Sequence, residues 1–412
     1  MSIFAAIHPQ QHENSWHGNS FNSTRYRGPL MDFELTSKQR MIQKTVREFA
    51  ETVLKPTAAE IDETQEFSWE NAKAIGNMGL WGIQIDPAYG GSGLDTISYA
   101  MIIEEIARVS PASSLDITVH NSVCAYPIQR WGTDDQKSRF LPRLASGEYI
   151  GGFSMTEPNA GSDVAGMQTT AVKDGDTYIL NGTKTFVTNG GIGSTFLIGA
   201  QTNKKLGAKG IAVFILEKSM EGFTVGKIEN KLGMRGSSTA ELIMTDVVVP
   251  NENILGMEKD GFKIAMETLY AGRIGIAAQA IGIAQAAFEL SVDYSSKRQQ
   301  FGKPINSQQV ISFYLADMLT EIDMSRLLVQ KAAFLKDKHA NYAKESAQCK
   351  LIASETAMRA TTKAIQIFGG YGYIKDYPIE RFFRDAKVTE IYEGTSEIMR
   401  MIIAQDIIKN LK

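Results

Sequence analysis

The chain reads as an α+β protein, mostly α, in the order helices, short strands, helices. Three observations carry this. Apolar residues recur at helical spacing from Thr36, the period changes to that of strands near Tyr149, and helical text returns after about Asp260. Beyond that point only Pro304 and Pro378 interrupt it.

Residues 1–30 stand apart. They are rich in His, Asn, Ser and Gln, and they read as a disordered or non-native extension rather than a metal site. No apolar signal core is present. Arg25, Arg27 and Glu13 make a poor organelle presequence, so a cytoplasmic location is expected, with the mitochondrial matrix as the alternative. Residues 31–150 read as a helical N-terminal domain. Thr36 and Gln39 form a possible capping box. Ile42, Val46, Phe49 and Val53 then share one helix face, and Pro56 ends or kinks that helix. Asp86–Gly93 is a glycine-rich turn, and helical text runs again from about Ile97 to Arg143.

Residues 151–257 read as a small β domain. The expected strands are Thr177–Leu180, Lys184–Thr188, Thr195–Gly199, Ala212–Leu216, Thr224–Ile228 and Glu241–Val249. Turns at Asn181-Gly182 and Asn189-Gly190-Gly191 separate them as hairpins would. Residues 258–412 form the C-terminal helical domain. The alanine and isoleucine of Arg273–Leu290 predict a helix buried on several sides.

Composition removes several function classes. With 43 Lys plus Arg against 46 Asp plus Glu, the net charge of -3 offers no basic face for nucleic acid. The two cysteines, Cys124 and Cys349, are too far apart in sequence for a close metal pair and too few for a disulfide scaffold. No apolar run near 18 residues is evident, so no membrane span is expected. There is no P-loop, no strand–GxGxxG–helix unit, no HExxH and no GxSxG. His120 and His339 stand alone and read as structural.

Polar and glycine-rich segments remain: Phe153–Asp163 (FSMTEPNAGSD), Lys184–Gly191 (KTFVTNGG), Arg298–Lys303 (RQQFGK), Gln366–Gly370 (QIFGG) and Ile391–Ser396 (IYEGTS). Each alone could be an ordinary turn. Such loops can also cradle phosphate or a heteroaromatic ring. Together and in this order they resemble the acyl-CoA dehydrogenase family of flavoenzymes, over about residues 31–412. The resemblance implies a helical N-terminal domain, a central β-barrel-like domain and a C-terminal four-helix bundle, assembled as a homotetramer. It implies FAD as cofactor, an acyl-CoA substrate and an electron-transfer flavoprotein as acceptor. Phe153, Met155, Thr156, Gly161 and Ser162 would line the flavin and its phosphates, with Phe186 against the ring and Thr188 near its reactive nitrogen. Arg298, Phe301 and Gln309 would hold pyrophosphate and adenine across a subunit interface. Gln366, Gly369 and Gly370 would complete that pocket, with Thr395 and Glu397 near the adenosine. Ser162 and Arg273 would touch coenzyme A, and Gly394 would adjoin the substrate.

The resemblance makes Glu393 the base that removes the thioester α-proton. The family's other base position is Gly272 here and can supply none. The bland alternative for Glu393 is an ordinary acid favoured by a helix N-terminus. Two departures bear on substrate. Tyr270 stands where relatives carry Asp or Asn. Asp116 falls where they place apolar or small polar residues facing the acyl pocket. An acid in an apolar stretch is costly unless satisfied. Asp116 is therefore either a helix cap or a partner of Thr118, or else a second acid/base for an alicyclic thioester such as cyclohexene-carboxyl-CoA. The expected substrate is thus a short or branched, or an alicyclic, acyl-CoA thioester; linear short-chain substrates, an oxygen-using oxidase and a non-catalytic binder are the rival readings.

Overall fold

The computed structural model describes residues 34–410; the extension expected at 1–30 lies outside them. Helix α1 (Ser37–Phe49) opens on the expected capping box, with the Gln39 amide donating to Thr36 Oγ1 at 3.2 Å and the Thr36 amide to Gln39 Oε1 at 2.9 Å. Val46 and Phe49 are buried and Ile42 and Val53 pack beside them. The helix widens into a π-helical turn at Ala50–Leu54 just before Pro56, which cannot continue the ladder. Short helices α2 (Ala58–Thr64) and α3 (Trp69–Asn77) follow. The glycine-rich turn holds one 3-10 turn, capped where the Ala88 amide donates to Asp86 Oδ1 at 2.8 Å. Helices α4 (Thr96–Ala107), α5 (Pro111–Val119), α6 (Tyr126–Trp131) and α7 (Asp134–Ser146) complete this helical part.

The middle part is one seven-stranded sheet: β1 (Gly151–Ser154), β2 (Thr170–Asp174), β3 (Thr177–Thr188), β4 (Thr195–Gln201), β5 (Ile211–Glu217), β6 (Phe223–Ile228) and β7 (Thr239–Pro250). The sheet corrects the sequence reading in three ways. Asn181-Gly182 is not a turn: β3 passes through it, with a register shift against β7 between Leu180 and Gly182. Gly182 sits at φ 152 with Thr169 where a side chain would go, so the glycine serves a close approach. The Asn189-Gly190 turn does not close a hairpin, because β3 pairs with β2 and β7 while β4 pairs with β1, β2 and β5. Strands β1 and β2 were not expected at all; β1 is only four residues, two of them glycine.

Among the described residues the C-terminal part has five helices: α8 (Gly261–Lys297), α9 (Gln309–Asp337), α10 (Ala343–Phe368), α11 (Ile379–Thr389) and α12 (Ser396–Asn410). A two-residue-per-strand hairpin, β8 (Gln299–Gln300) and β9 (Lys303–Pro304), precedes α9. Helix α8 is the axis of the molecule. Its middle, Ala271–Ala287, is buried almost without interruption, against α4 and α5 on one side and α9 and α10 on the other. The expectation of no membrane-length apolar helix needs correction here. Glu258–Lys297 is long and apolar enough by composition, yet most of it is buried in protein. Small residues make this possible. Gly282, for example, leaves no room for a side chain beside the Glu104 carbonyl of α4.

Candidate active site

Glu393 stands on the loop between α11 and α12, at φ +52, and Gly394 follows at φ +103. A left-handed non-glycine residue costs of order 1–3 kcal/mol and persists only where its surroundings hold it. Two cations do so here. Arg273 Nε on α8 donates to the Glu393 carbonyl at 3.1 Å, and Lys350 Nζ on α10 donates to the Gly394 carbonyl at 2.7 Å. The Tyr392 hydroxyl donates to Gln279 Oε1 on α8, and Gln279 Nε2 in turn donates to the Pro111 carbonyl of α5 at 2.8 Å. Two helices, α8 and α10, therefore fix the backbone from which the carboxylate projects, with α5 in turn holding Gln279.

The carboxylate itself is buried and neither oxygen has a hydrogen-bond partner. It lies against Gly272: a Cβ there would sit 2.3 Å from Glu393 Oε2. The absence of a side chain at 272 thus makes room for the carboxylate besides failing to supply a second base. Burial pushes the Glu393 pKa up to about 7, against the opposing pull of Arg273 and Lys350. A buried, unpartnered carboxylate near neutral pKa is a group arranged to take a proton. The helix-terminus alternative fails, because Glu393 lies ahead of α12 with its carboxylate turned against α8. Arg273 is itself 3% exposed with Nη1 unpartnered, so it retains donor capacity toward the same space.

One helical turn along α8, Gly275 receives Tyr99 from α4. A Cβ at 275 would lie 2.4 Å from the Tyr99 hydroxyl and 2.6 Å from Thr118 Cγ2. Tyr99 and Thr118 therefore fill the space a turn beyond the carboxylate. Thr118 was named in the sequence only as a possible partner of Asp116, and Tyr99 was not named, because a tyrosine in an apolar helix carries no local mark of its position relative to residue 393.

Asp116 is placed elsewhere. Its carboxylate accepts from Ser237 Oγ at 2.6 Å, across the seam between α5 and the β part, and Lys231 is the nearby cation. It borders a small cavity with Ile61, Phe67, Asn71, Trp81 and Gly236. Burial raises its pKa to about 7. The structural expectation is corrected: Asp116 neither caps a helix nor bonds Thr118, and its carboxylate accepts from Ser237 instead. Tyr270 packs edge-on to Tyr342 at 6.3 Å, with the Arg273 guanidinium 5.6 Å from its ring centre. His120 is buried, and its Nδ1 accepts from the Gly151 amide at 3.0 Å. Burial pulls its pKa down to about 4, as a structural histidine.

The other expected residues fall into two surfaces. On the first, Phe153 and Met155 pack inward while Thr156, Gly161 and Ser162 lie on the loop that follows β1. That loop is anchored by Glu157, which accepts from Lys184 Nζ at 2.7 Å, the Thr169 amide at 2.9 Å and the Gln168 amide. Lys184 is wholly buried, a pairing the sequence reading missed because its partners are 27 positions apart. Phe186 occupies an irregular stretch of β3 at φ +56 and is 65% exposed; Thr188 ends the strand. On the second surface, Arg298, Gly369 and Gly370 share one concavity with Tyr294, Phe368 and Tyr371. Gln366 is exposed on α10, Gln309 opens α9, and Phe301 tips the β8–β9 hairpin at 93% exposure; these three do not line the concavity. Thr395 accepts weakly from the Ile398 amide at 3.4 Å, in the first turn of α12 beside Glu397. Exposed apolar rings at 186 and 301, and glycines 161, 369 and 370 with open space where a Cβ would be, suit a large planar ligand bearing phosphates.

Known proteins resemble the chain over most of its length. The models described as acyl-CoA dehydrogenase N-terminal, middle and C-terminal domains match residues 36–148, 152–247 and 259–408. A short-chain specific acyl-CoA dehydrogenase of Clostridium acetobutylicum is 50% identical over 379 residues, 92% of this chain and 100% of that protein. Butyryl-CoA dehydrogenase from Megasphaera elsdenii superposes with a TM-score of 0.90 at 46% identity, over 92% of this chain and all of the other. A chain from a structure reported for the electron transferring flavoprotein of Acidaminococcus fermentans has the same TM-score at 48% identity, covering 92% and 99%.

Proposed function

The chain belongs to the acyl-CoA dehydrogenase family of FAD-dependent oxidoreductases, and from that premise we propose that it dehydrogenates linear short-chain acyl-CoA thioesters. The observation that carries the reading is the unpartnered Glu393 carboxylate against Gly272. In its ionised form Glu393 takes the α-proton of the thioester, a step suited to a carboxylate whose pKa is pushed up to about 7. The Glu393 amide, on a loop held by Arg273 and Lys350, donates to the thioester carbonyl and stabilises the charge that develops there. When bound, FAD supplies the two-electron acceptor for the β-hydride. Thr156, Gly161 and Ser162 would hold it on the first surface, with Phe186 and Thr188 as the residues that would meet its ring. Arg298, Gly369 and Gly370 would serve its phosphates and adenine, joined in a homotetramer by Gln309, Gln366 and Phe301.

Short acyl length is supported by Tyr99 and Thr118 closing the space one turn beyond the base, and by the short-chain relatives. The alicyclic reading loses its main support, since the Asp116 carboxylate is occupied by Ser237. Electrons pass onward to an electron-transfer flavoprotein, a reading supported by the Acidaminococcus match. The bacterial relatives favour a cytoplasmic setting. A panel of butyryl-, octanoyl- and cyclohexenecarbonyl-CoA, read by flavin bleaching, tests the assignment. Butyryl-CoA is expected to react fastest, and preference for the ring thioester would reverse it. Glu393→Gln is expected to keep flavin and lose about 10²–10⁴-fold in turnover; an active variant would remove Glu393 as the base.

A further inference from the structure

We infer that Lys350 is a positioning residue for the base, tying the strained Glu393-Gly394 peptide to α10 and placing a positive charge behind the carboxylate. The inference rests on the assignment of Glu393 as base. Lys350 is 0% exposed about two turns into α10, where an apolar side chain would pack at far lower cost. Its ammonium donates to the carbonyl of Gly394, the residue immediately after the base, at 2.7 Å. No carboxylate lies within ion-pairing distance of it among the described residues, so the energetic return on burying it is the hold on that loop. Arg273 makes the matching contact one residue earlier, from the opposite helix. The two cations thus grip consecutive carbonyls of a segment at φ +52 and +103, a conformation that would otherwise relax.

The charges facing Lys350 are Arg273 from α8, Glu390 at the end of α11, Glu393 on the loop and Glu397 in the first turn of α12. Facing Glu393 are Arg273, Lys350 and the hydroxyls of Tyr99 on α4 and Tyr392. Burial drives Lys350 and Glu393 toward their neutral forms, and each holds the other charged. Removing the ammonium should therefore raise the Glu393 pKa further, moving the acidic limb of the pH–rate profile upward.

Lys350→Gln keeps a donor without the charge, and Lys350→Met removes both. In the flavin-loaded enzyme, both variants are expected to shift the acidic limb of kcat/KM for butyryl-CoA upward by about one pH unit. The Met variant is also expected to lose about tenfold or more in kcat with KM little changed, whereas Gln retains most of kcat. A second readout is exchange in D2O of the α-protons of acetyl-CoA, which has no β-hydride to lose; it should slow in parallel with kcat. Failure of wild-type enzyme to turn over butyryl-CoA would count against the proposed substrate class, not against this role. Folded variants with the limb and the exchange rate unchanged would overturn the inference. So would failure of both to fold, which would make Lys350 a purely structural residue.

Discussion

At the residue scale, the chemistry turns on which carboxylates are left without partners. Glu393 and Asp116 are both buried and both have pKa values pushed up to about 7, yet only Glu393 has two bare oxygens. Activity that needs ionised Glu393 should rise with pH through about 7, and a kcat/KM profile from pH 5 to 9 checks this. For Asp116 the effect belongs to stability. Its folded pKa lies above its unfolded value of about 3.8, so the protonated form favours the fold. That contribution is whole below the unfolded pKa and is lost as pH rises through about 7. Asp116→Asn fixes the neutral form. It is expected to keep butyryl-CoA turnover within about twofold and to gain in melting temperature over wild type as pH rises from 6 to 8. Calorimetry that found the gap constant across that range would contradict the assignment.

At the scale of elements, legibility followed locality. The α1 cap was readable because Thr36 and Gln39 lie three residues apart. The burial of α8 was readable because its composition is apolar on every face. The strand reading failed at Asn181-Gly182, where a pair that favours turns sits inside β3 as a bulge. The pairing of Glu157 with Lys184 was equally invisible, since it exists only once β1 and β3 are brought together. The Glu393 loop could be recognised by resemblance, but its clamps on α8 and α10 could not. The anchoring of the loop after β1, proposed above to hold flavin, carries a prediction at this scale. Lys184→Met leaves Glu157 charged and buried, and should cost about 3–5 kcal/mol and weaken flavin retention. Adding Glu157→Leu should recover much of the stability, but not the loop's hold on flavin. Thermal melts and the absorbance of retained flavin separate the two.

At the scale of the whole molecule, one group of exposed apolar side chains lies on the β8–β9 hairpin and the start of α9. Phe301 is 93% exposed, and Val310 and Phe313, at the start of α9, are more than half exposed. In the proposed homotetramer they are covered by neighbours. Phe301→Glu should shift sedimentation toward smaller species and lower the flavin content. A tetramer with full flavin would show that the hairpin tip is dispensable.

Helix α8, 37 residues and about 55 Å long, also has a history within each synthesis. The helices that cover one side of it, α4 and α5, precede it in the chain, but α9 and α10 emerge only afterwards. At about 5–20 residues per second, several seconds pass at the ribosome with the other side of a membrane-like rod uncovered. The nascent chain is then a natural client for holding chaperones, and the arrangement that hides Glu393 so well in the finished enzyme leaves the unfinished one adhesive.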